Sequence, residues 1–190
     1  MTMGMSISGL AITPPRFGPI GIAAADSPSA AKVRFVSVRA QLNADSLAKA
    51  NAQFWEQMLD MQLDRVPCTE DFCVGAGHLL ASVDFSGEWQ GRIEVRLAPG
   101  LGLAATATMM MQPADTVTEA DVLDAIREIA NIIGGVIKSS LPQPCIMALP
   151  ESVVAPERLC VEHQARAALA VAFKHASGGL MLRVWEDNSE

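Results

Sequence analysis

Residues 118–141 read TEADVLDAIREIANIIGGVIKSSL, and the spacing of their apolar side chains decides the fold. Val122, Leu123, Ile126, Ile129, Ala130, Ile133, Val136 and Ile137 recur at steps of three and four, which gathers them on one face of an α-helix. Thr118 followed by Asp121 supplies a start signal, because the hydroxyl can accept from an orphan first-turn amide while the carboxylate answers in return. Pro142 stops the helix, having no amide hydrogen to continue it. At about 100° per residue, Asp124, Glu128, Asn131 and Gly135 fall at roughly 140–200° from Ile126, opposite the apolar stripe. Ile132 and Ser139 flank that row. A solvated face is the ordinary reading of such carboxylates. Against it, Asn is a poor helix-interior residue, and Gly134 and Gly135 each cost about 1 kcal/mol relative to alanine. A helix that carries those residues has a use for them, and a glycine on the outer row lets another surface come close.

The chain on either side supplies the strands. Alternation over Val33–Gln41 predicts a first strand, and Asn43 to Met61 predicts a helix, with Asn43 or Asp45 as cap and Phe54, Trp55 and Met58 on its apolar stripe. Val66 to Val74 reads as an irregular link. Val74–Phe85 and Glu88–Leu97 alternate as a hairpin turning at Ser86-Gly87, and Pro99 opens a short apolar helix that ends in Met109–Met111. The methionines are expected in helix-to-helix packing. Gly100-x-Gly102 lacks both the third glycine and the Lys-Ser/Thr of a phosphate loop. After the long helix, Cys145–Val154 predicts a strand leaving through Pro156. Cys160–His175 and Leu180–Trp185 then predict a second hairpin about Ser177-Gly178-Gly179. This order of helices and antiparallel strands gives an α+β fold, with helices packed on an antiparallel sheet and the long helix central.

Bulk properties narrow the function. With 190 residues, half of them hydrophobic, the chain is expected to be a single domain over residues 32–190 preceded by a flexible N-terminal arm. The arm, residues 1–31, is rich in Gly, Pro, Ala and Ser and carries only Arg16 and Asp26 as charges. Pro14, Pro15 and Pro19 and the lack of an early basic run oppose a secretory signal. No stretch approaches the roughly 18 uninterrupted apolar residues of a membrane span. A net charge of -7 and a pI near 4.9 oppose nucleic-acid binding, which calls for a clustered basic surface. Cys68, Cys73, Cys145 and Cys160 match no zinc-knuckle spacing and are expected as free thiols, in keeping with a cytoplasmic location. His78, His163 and His175 are scattered, as surface or satisfied core residues are.

Asp124-x-x-x-Glu128-x-x-Asn131, set in EIANIIGGVIKSSL and followed by LPESVV, resembles the signature helix of the CheC/CheX/FliY chemotaxis phosphatases. The likeness extends more weakly over about Leu42 to Trp185. Only one Glu-x-x-Asn is present, as in the single-site CheX type, and either Pro150 or Pro156 could fill the place of the family's trailing proline. The resemblance implies helices packed on an antiparallel sheet, with the long helix displaying its site outward. It implies a phosphorylated CheY-like response regulator as partner, whose own site holds the aspartyl phosphate, a lysine and Mg²⁺, so that the chain needs no cofactor of its own. Asn131 would orient the hydrolytic water and Glu128 would pair with the regulator's lysine, the two forming the catalytic set. Asp124, Ile132 and Gly135 would be accessory residues on the docking face. Single-site relatives pair through their sheets, which implies a homodimer; the apolar strands near Val171–Phe173 and Leu180–Val184 are expected as edges for it.

The chemistry of the residues agrees with that role. An amide has no useful pKa, so Asn131 is no general acid or base near neutrality, but its carbonyl can accept from a water while its NH₂ donates elsewhere. Phosphoryl transfer draws most of its acceleration from positioning and charge neutralisation, so a placed amide suffices when the partner brings the metal. Two other readings compete. One is a non-catalytic module of chemotaxis, motility or two-component signalling that binds through the same face or through a Phe54/Trp55 face. The other is a metal-dependent hydrolase with Asp124 and Glu128 as ligands, for which no third ligand lies nearby in sequence.

Overall fold

The computed structural model describes residues 42–68, 77–154 and 168–187. The expected strand over Val33–Gln41, the arm over residues 1–31, and Cys73, Pro156, Cys160 and His163 lie outside the described residues. The elements are α1 (Ala44–Leu59), β1 (Asp64–Val66), β2 (Leu79–Gly87), β3 (Gly91–Leu97), α2 (Pro99–Met110) and α3 (Glu119–Lys138), then β4 (Cys145–Met147), β5 (Glu151–Val154), β6 (Leu169–His175) and β7 (Gly178–Glu186). A single 3₁₀ turn, Ala114–Thr116, joins α2 to α3.

Among the described residues the sheet runs β1-β6-β7-β3-β2, and β4 and β5 then share the outer edge of β2. Every pairing is antiparallel, with Ala81 opposite Val95, Val95 opposite Leu182 and Val171 opposite Leu182. Period-two alternation turns Leu79, Ala81, Val83 and Phe85 of β2, Ile93, Val95 and Leu97 of β3, and Leu180, Leu182 and Val184 of β7 to one face, where all are buried. On that face α1 lies over β6, α2 over β7 and α3 over β2, β3 and the β4–β5 edge. The α+β architecture predicted from the element order is therefore the one observed. Ile126, Ile129, Ile133 and Ile137 of α3 are buried to within a few per cent, and each contributes about 1.5–3 kcal/mol relative to an exposed position.

The opposite face of the sheet is partly polar. Arg92 forms a bidentate pair with Asp84 at 2.6 and 2.8 Å, which raises its pKa. Glu94 sits between Arg96 (3.2 Å) and the fully buried Arg183 (3.8 Å), whose guanidinium lies 4.2 Å from the centre of the Trp185 ring. Burial lowers the Arg183 pKa to about 10, with Glu94 acting in the opposite sense. His78 is buried, with Nε2 2.9 Å from Nη1 of Arg96, so it is a satisfied core histidine.

Several expectations need correction. Val66 belongs to a strand, β1, because Asp64–Val66 pairs with Ala172–Lys174. The first hairpin turns at residues 88–90 rather than at Ser86-Gly87. The strand expected over Cys145–Val154 is broken at residues 148–150 into β4 and β5. Among the described residues Leu180–Val184 is not an edge, since β7 lies between β6 and β3, and β6 is covered on its outer side by β1 over Ala172–Lys174. Phe54 and Trp55 are core residues in edge-to-face contact, which removes them as a docking face; only Met58 of that stripe stands out, 65% exposed. Met110 and Met111 do not pack between helices but project from the end of α2, Met111 with φ 51°.

Candidate functional site

The helix that carries the site is fixed at its start by side chains. Thr118 Oγ1 accepts from the Asp121 amide at 3.2 Å, and Asp121 Oδ2 accepts from the Thr118 amide at 2.9 Å and from its hydroxyl at 2.7 Å. Those bonds favour the ionised carboxylate and hold the Asp121 pKa below its usual value. From this anchor α3 runs for 20 residues, and Gln143 Nε2 donates to the carbonyls of Lys138 and Leu141 at the far end.

The two glycines divide the work. At Gly134 a Cβ would stand 3.1 Å from Met147 Sδ and 3.6 Å from the Phe85 ring, so this glycine lets α3 settle onto β2 and β4. Gly135 has nothing within 4 Å of a Cβ and opens to the outside. Asp124, Glu128 and Gly135 are exposed, whereas Asn131 and Ile132 are half-buried. Ile132 also leans on the core, and Val136, expected within the apolar stripe, is 46% exposed at its margin. Ser139 Oγ donates to the Val136 carbonyl at 2.6 Å, which turns its hydroxyl back onto its own helix. Because Gly134 faces Met147, the β4–β5 edge lies on the Asn131 side of α3, and Leu149, 89% exposed, stands on the connection between those strands. The structure thus presents Asp124, Glu128, Asn131 and Gly135 on one outward row, with Ile132 on its flank.

One member of this surface was missed. Arg127, half-exposed, forms an ion pair with Asp124 one turn earlier. The i, i+3 spacing of opposite charges in Asp124-Ala125-Ile126-Arg127 was the signal available in the sequence. Among the described residues, neither the Glu128 carboxylate nor the Asn131 amide is held by a hydrogen bond or ion pair, so both are available to an outside group. No group of three or more His, Cys, Asp or Glu side chains gathers among the described residues, so nothing there joins Asp124 and Glu128 as a third ligand. Nor is any described helix long and apolar enough to cross a membrane. Cys145 is a free thiol, and burial pushes its pKa up. A groove of about 330 Å³ lined by Arg65, Cys68 and Ala170 lies by β1 and β6, at the sheet edge opposite β4 and β5, and holds none of the row.

The family model described as "Chemotaxis phosphatase CheX" matches residues 79–174, just over half of the chain, and that span contains the whole of α3. No curated protein matches the sequence. Among solved structures, the chain is similar to the chemotaxis protein CheX of Vibrio vulnificus, at 16% identity and a TM-score of 0.60 over 75% of this chain and 95% of that one. CheX of Desulfovibrio desulfuricans is matched at 17% identity and a TM-score of 0.58, over 80% of this chain and all of that one. A CheX-CheY-BeF3-Mg²⁺ complex from Borrelia burgdorferi is matched at 15% identity and a TM-score of 0.59, over 73% of this chain and 94% of the matched chain. At these identities the structural likenesses establish the fold, helices on an antiparallel sheet.

Proposed function

The chain belongs to the CheX family of chemotaxis phosphatases, and we propose that it accelerates hydrolysis of the aspartyl phosphate on a CheY-like response regulator. The observation that carries this reading is the outward row of α3, where Glu128 and Asn131 stand one turn apart with uncommitted polar groups beside an open glycine. The Borrelia burgdorferi complex, in which a CheX of the same fold is joined to CheY with BeF3 and Mg²⁺, supports the choice of partner. Mg²⁺ would be supplied by the receiver's own site.

In this reading the receiver closes over α3 and Asn131 enters its phosphorylated site. The Asn131 carbonyl accepts a hydrogen bond from a water and aims the water's oxygen at phosphorus. As the new P–O bond forms, the bond to the aspartyl oxygen breaks, releasing inorganic phosphate and the free receiver carboxylate. Glu128 pairs with the receiver's lysine and fixes the register, so that Asn131 is placed rather than merely nearby. Asp124, Ile132 and Gly135 make up the docking surface around them, and Gly135 keeps the helix low enough for a close approach.

The test is the decay of a phosphorylated receiver domain with Mg²⁺, alone and with this protein. We expect acceleration by the wild type, its loss in Asn131→Ala, and weaker docking together with a lower rate in Glu128→Ala. Binding without any change in decay would instead identify a non-catalytic module using the same face. An Asn131→Ala variant with full activity would remove the mechanism.

A further inference from the structure

We propose that Arg127 is the group through which the α3 face senses the negative charge of the phosphoryl group, with Asp124 as the counter-ion that it leaves on docking. This rests on the reading of α3 as the surface that meets a phosphorylated receiver. Arg127 stands directly before Glu128 and one turn before Asn131, about 6 Å along the helix axis and about 40° around it. It therefore borders the spot where the water and the phosphorus would meet.

Charge balance gives the reason for a cation there. Asp124 and Glu128 are both on the row, and the whole chain carries -7, so the face would repel a phosphoryl anion if nothing offset it. Within α3 the only basic residues are Arg127 and Lys138. Lys138 lies in the last turn, near enough to Cys145 to act on its thiol, and is about four turns from Asp124. Arg127 is thus the cation the row itself carries. In the free protein its guanidinium is paired with Asp124, both side chains being about half-exposed or more, at 47% and 69%. A pair so open to water contributes little and can be exchanged. Its planar fork of N–H donors suits the anionic oxygens of a phosphoryl group.

Releasing Asp124 from the pair would then favour docking, whereas removing Arg127 would oppose it. The test uses a CheY-like receiver domain in two forms, unmodified and loaded with BeF₃⁻ and Mg²⁺, titrated against wild type, Arg127→Ala, Arg127→Lys, Asp124→Asn and the double variant. We expect Arg127→Ala to lose about tenfold in affinity for the loaded receiver and to bind the unmodified receiver as wild type does. Arg127→Lys should recover part of the loss. Asp124→Asn should bind the loaded receiver severalfold more tightly, and that gain should vanish in the double variant. An Arg127→Ala loss equal for both receiver forms would overturn the proposal, as would an Asp124→Asn gain that persists without Arg127. If discrimination survives in Arg127→Ala while Asn131→Ala still abolishes turnover, the phosphatase reading stands and the role of Arg127 fails. A wild-type protein that neither binds nor dephosphorylates a receiver overturns both.

Discussion

At the scale of single residues, adjacent positions on α3 carry opposite demands. Gly134 is pressed against Met147, Phe85 and Val83, so a larger side chain there must displace the core of the β2–β4 contact. Gly134→Leu should lower stability by about 1–3 kcal/mol, measured as a shift in urea midpoint. Gly135 meets open space, and Gly135→Ala should raise stability by up to about 1 kcal/mol through helix propensity alone. Gly135→Leu should keep the fold and impair docking of a phosphorylated receiver, which a titration against the BeF₃⁻-loaded domain would show. The sequence placed Gly135 on the outward row but gave no reason for Gly134, whose contact depends on where Met147 of β4 lies. Arg127 escaped notice for the opposite cause. Exposed charges on an amphipathic helix are the rule, and only its pairing with Asp124 beside Asn131 sets it apart.

At the scale of the element, α3 was legible almost to the residue. Thr118 and Asp121 form the reciprocal cap that their spacing announced, and the helix begins at Glu119. Thr118→Ala should cost about 1 kcal/mol. The hydrogen bonds from Thr118 hold the Asp121 carboxylate below the ordinary carboxylate range in the folded protein, so its contribution is fully present above the unfolded pKa and is lost as pH falls through the folded one. Wild-type stability should therefore fall on acidification below about pH 4. In Asp121→Asn part of that fall should be missing, as thermal melts of the two proteins across pH 2–6 would reveal. α1 was equally plain, with Asn43 as its cap: the side chain accepts from the Ser46 amide at 2.8 Å, while Asp45 is drawn away to Arg65 at 2.6 Å. The strands were less so. Residues 148–150 interrupt the strand expected over Cys145–Val154, so that its two halves pair with different parts of β2. The run from Cys145 to Leu149 is apolar throughout, and Pro150, which has no amide hydrogen to give a strand ladder, stands at the break and was its sign in the sequence.

At the scale of the whole molecule, stability depends on contacts between strands far apart in the chain. Glu94 of β3 lies between Arg96 and the buried Arg183 of β7, so Glu94→Gln would remove the carboxylate that faces two guanidiniums. That change should cost about 3–5 kcal/mol in chemical denaturation, while leaving docking to a receiver intact in the folded fraction because the pair lies on the sheet face away from α3. The sequence by itself determined the amphipathic helices, their caps, the alternating strands and the outward row of Asp124, Glu128, Asn131 and Gly135, since each follows from spacing within a few residues. It did not determine that β7 lies inside the sheet, that Asp64–Val66 pairs with Ala172–Lys174 of β6, that Trp55 is buried while Met111 is bare, or that Arg183 reaches Glu94. Those features belong to the tertiary structure. Strand order and the covering of an apolar face are set by which distant segments bury each other best, and local periodicity is the same whether a strand ends at an edge or in the middle of a sheet.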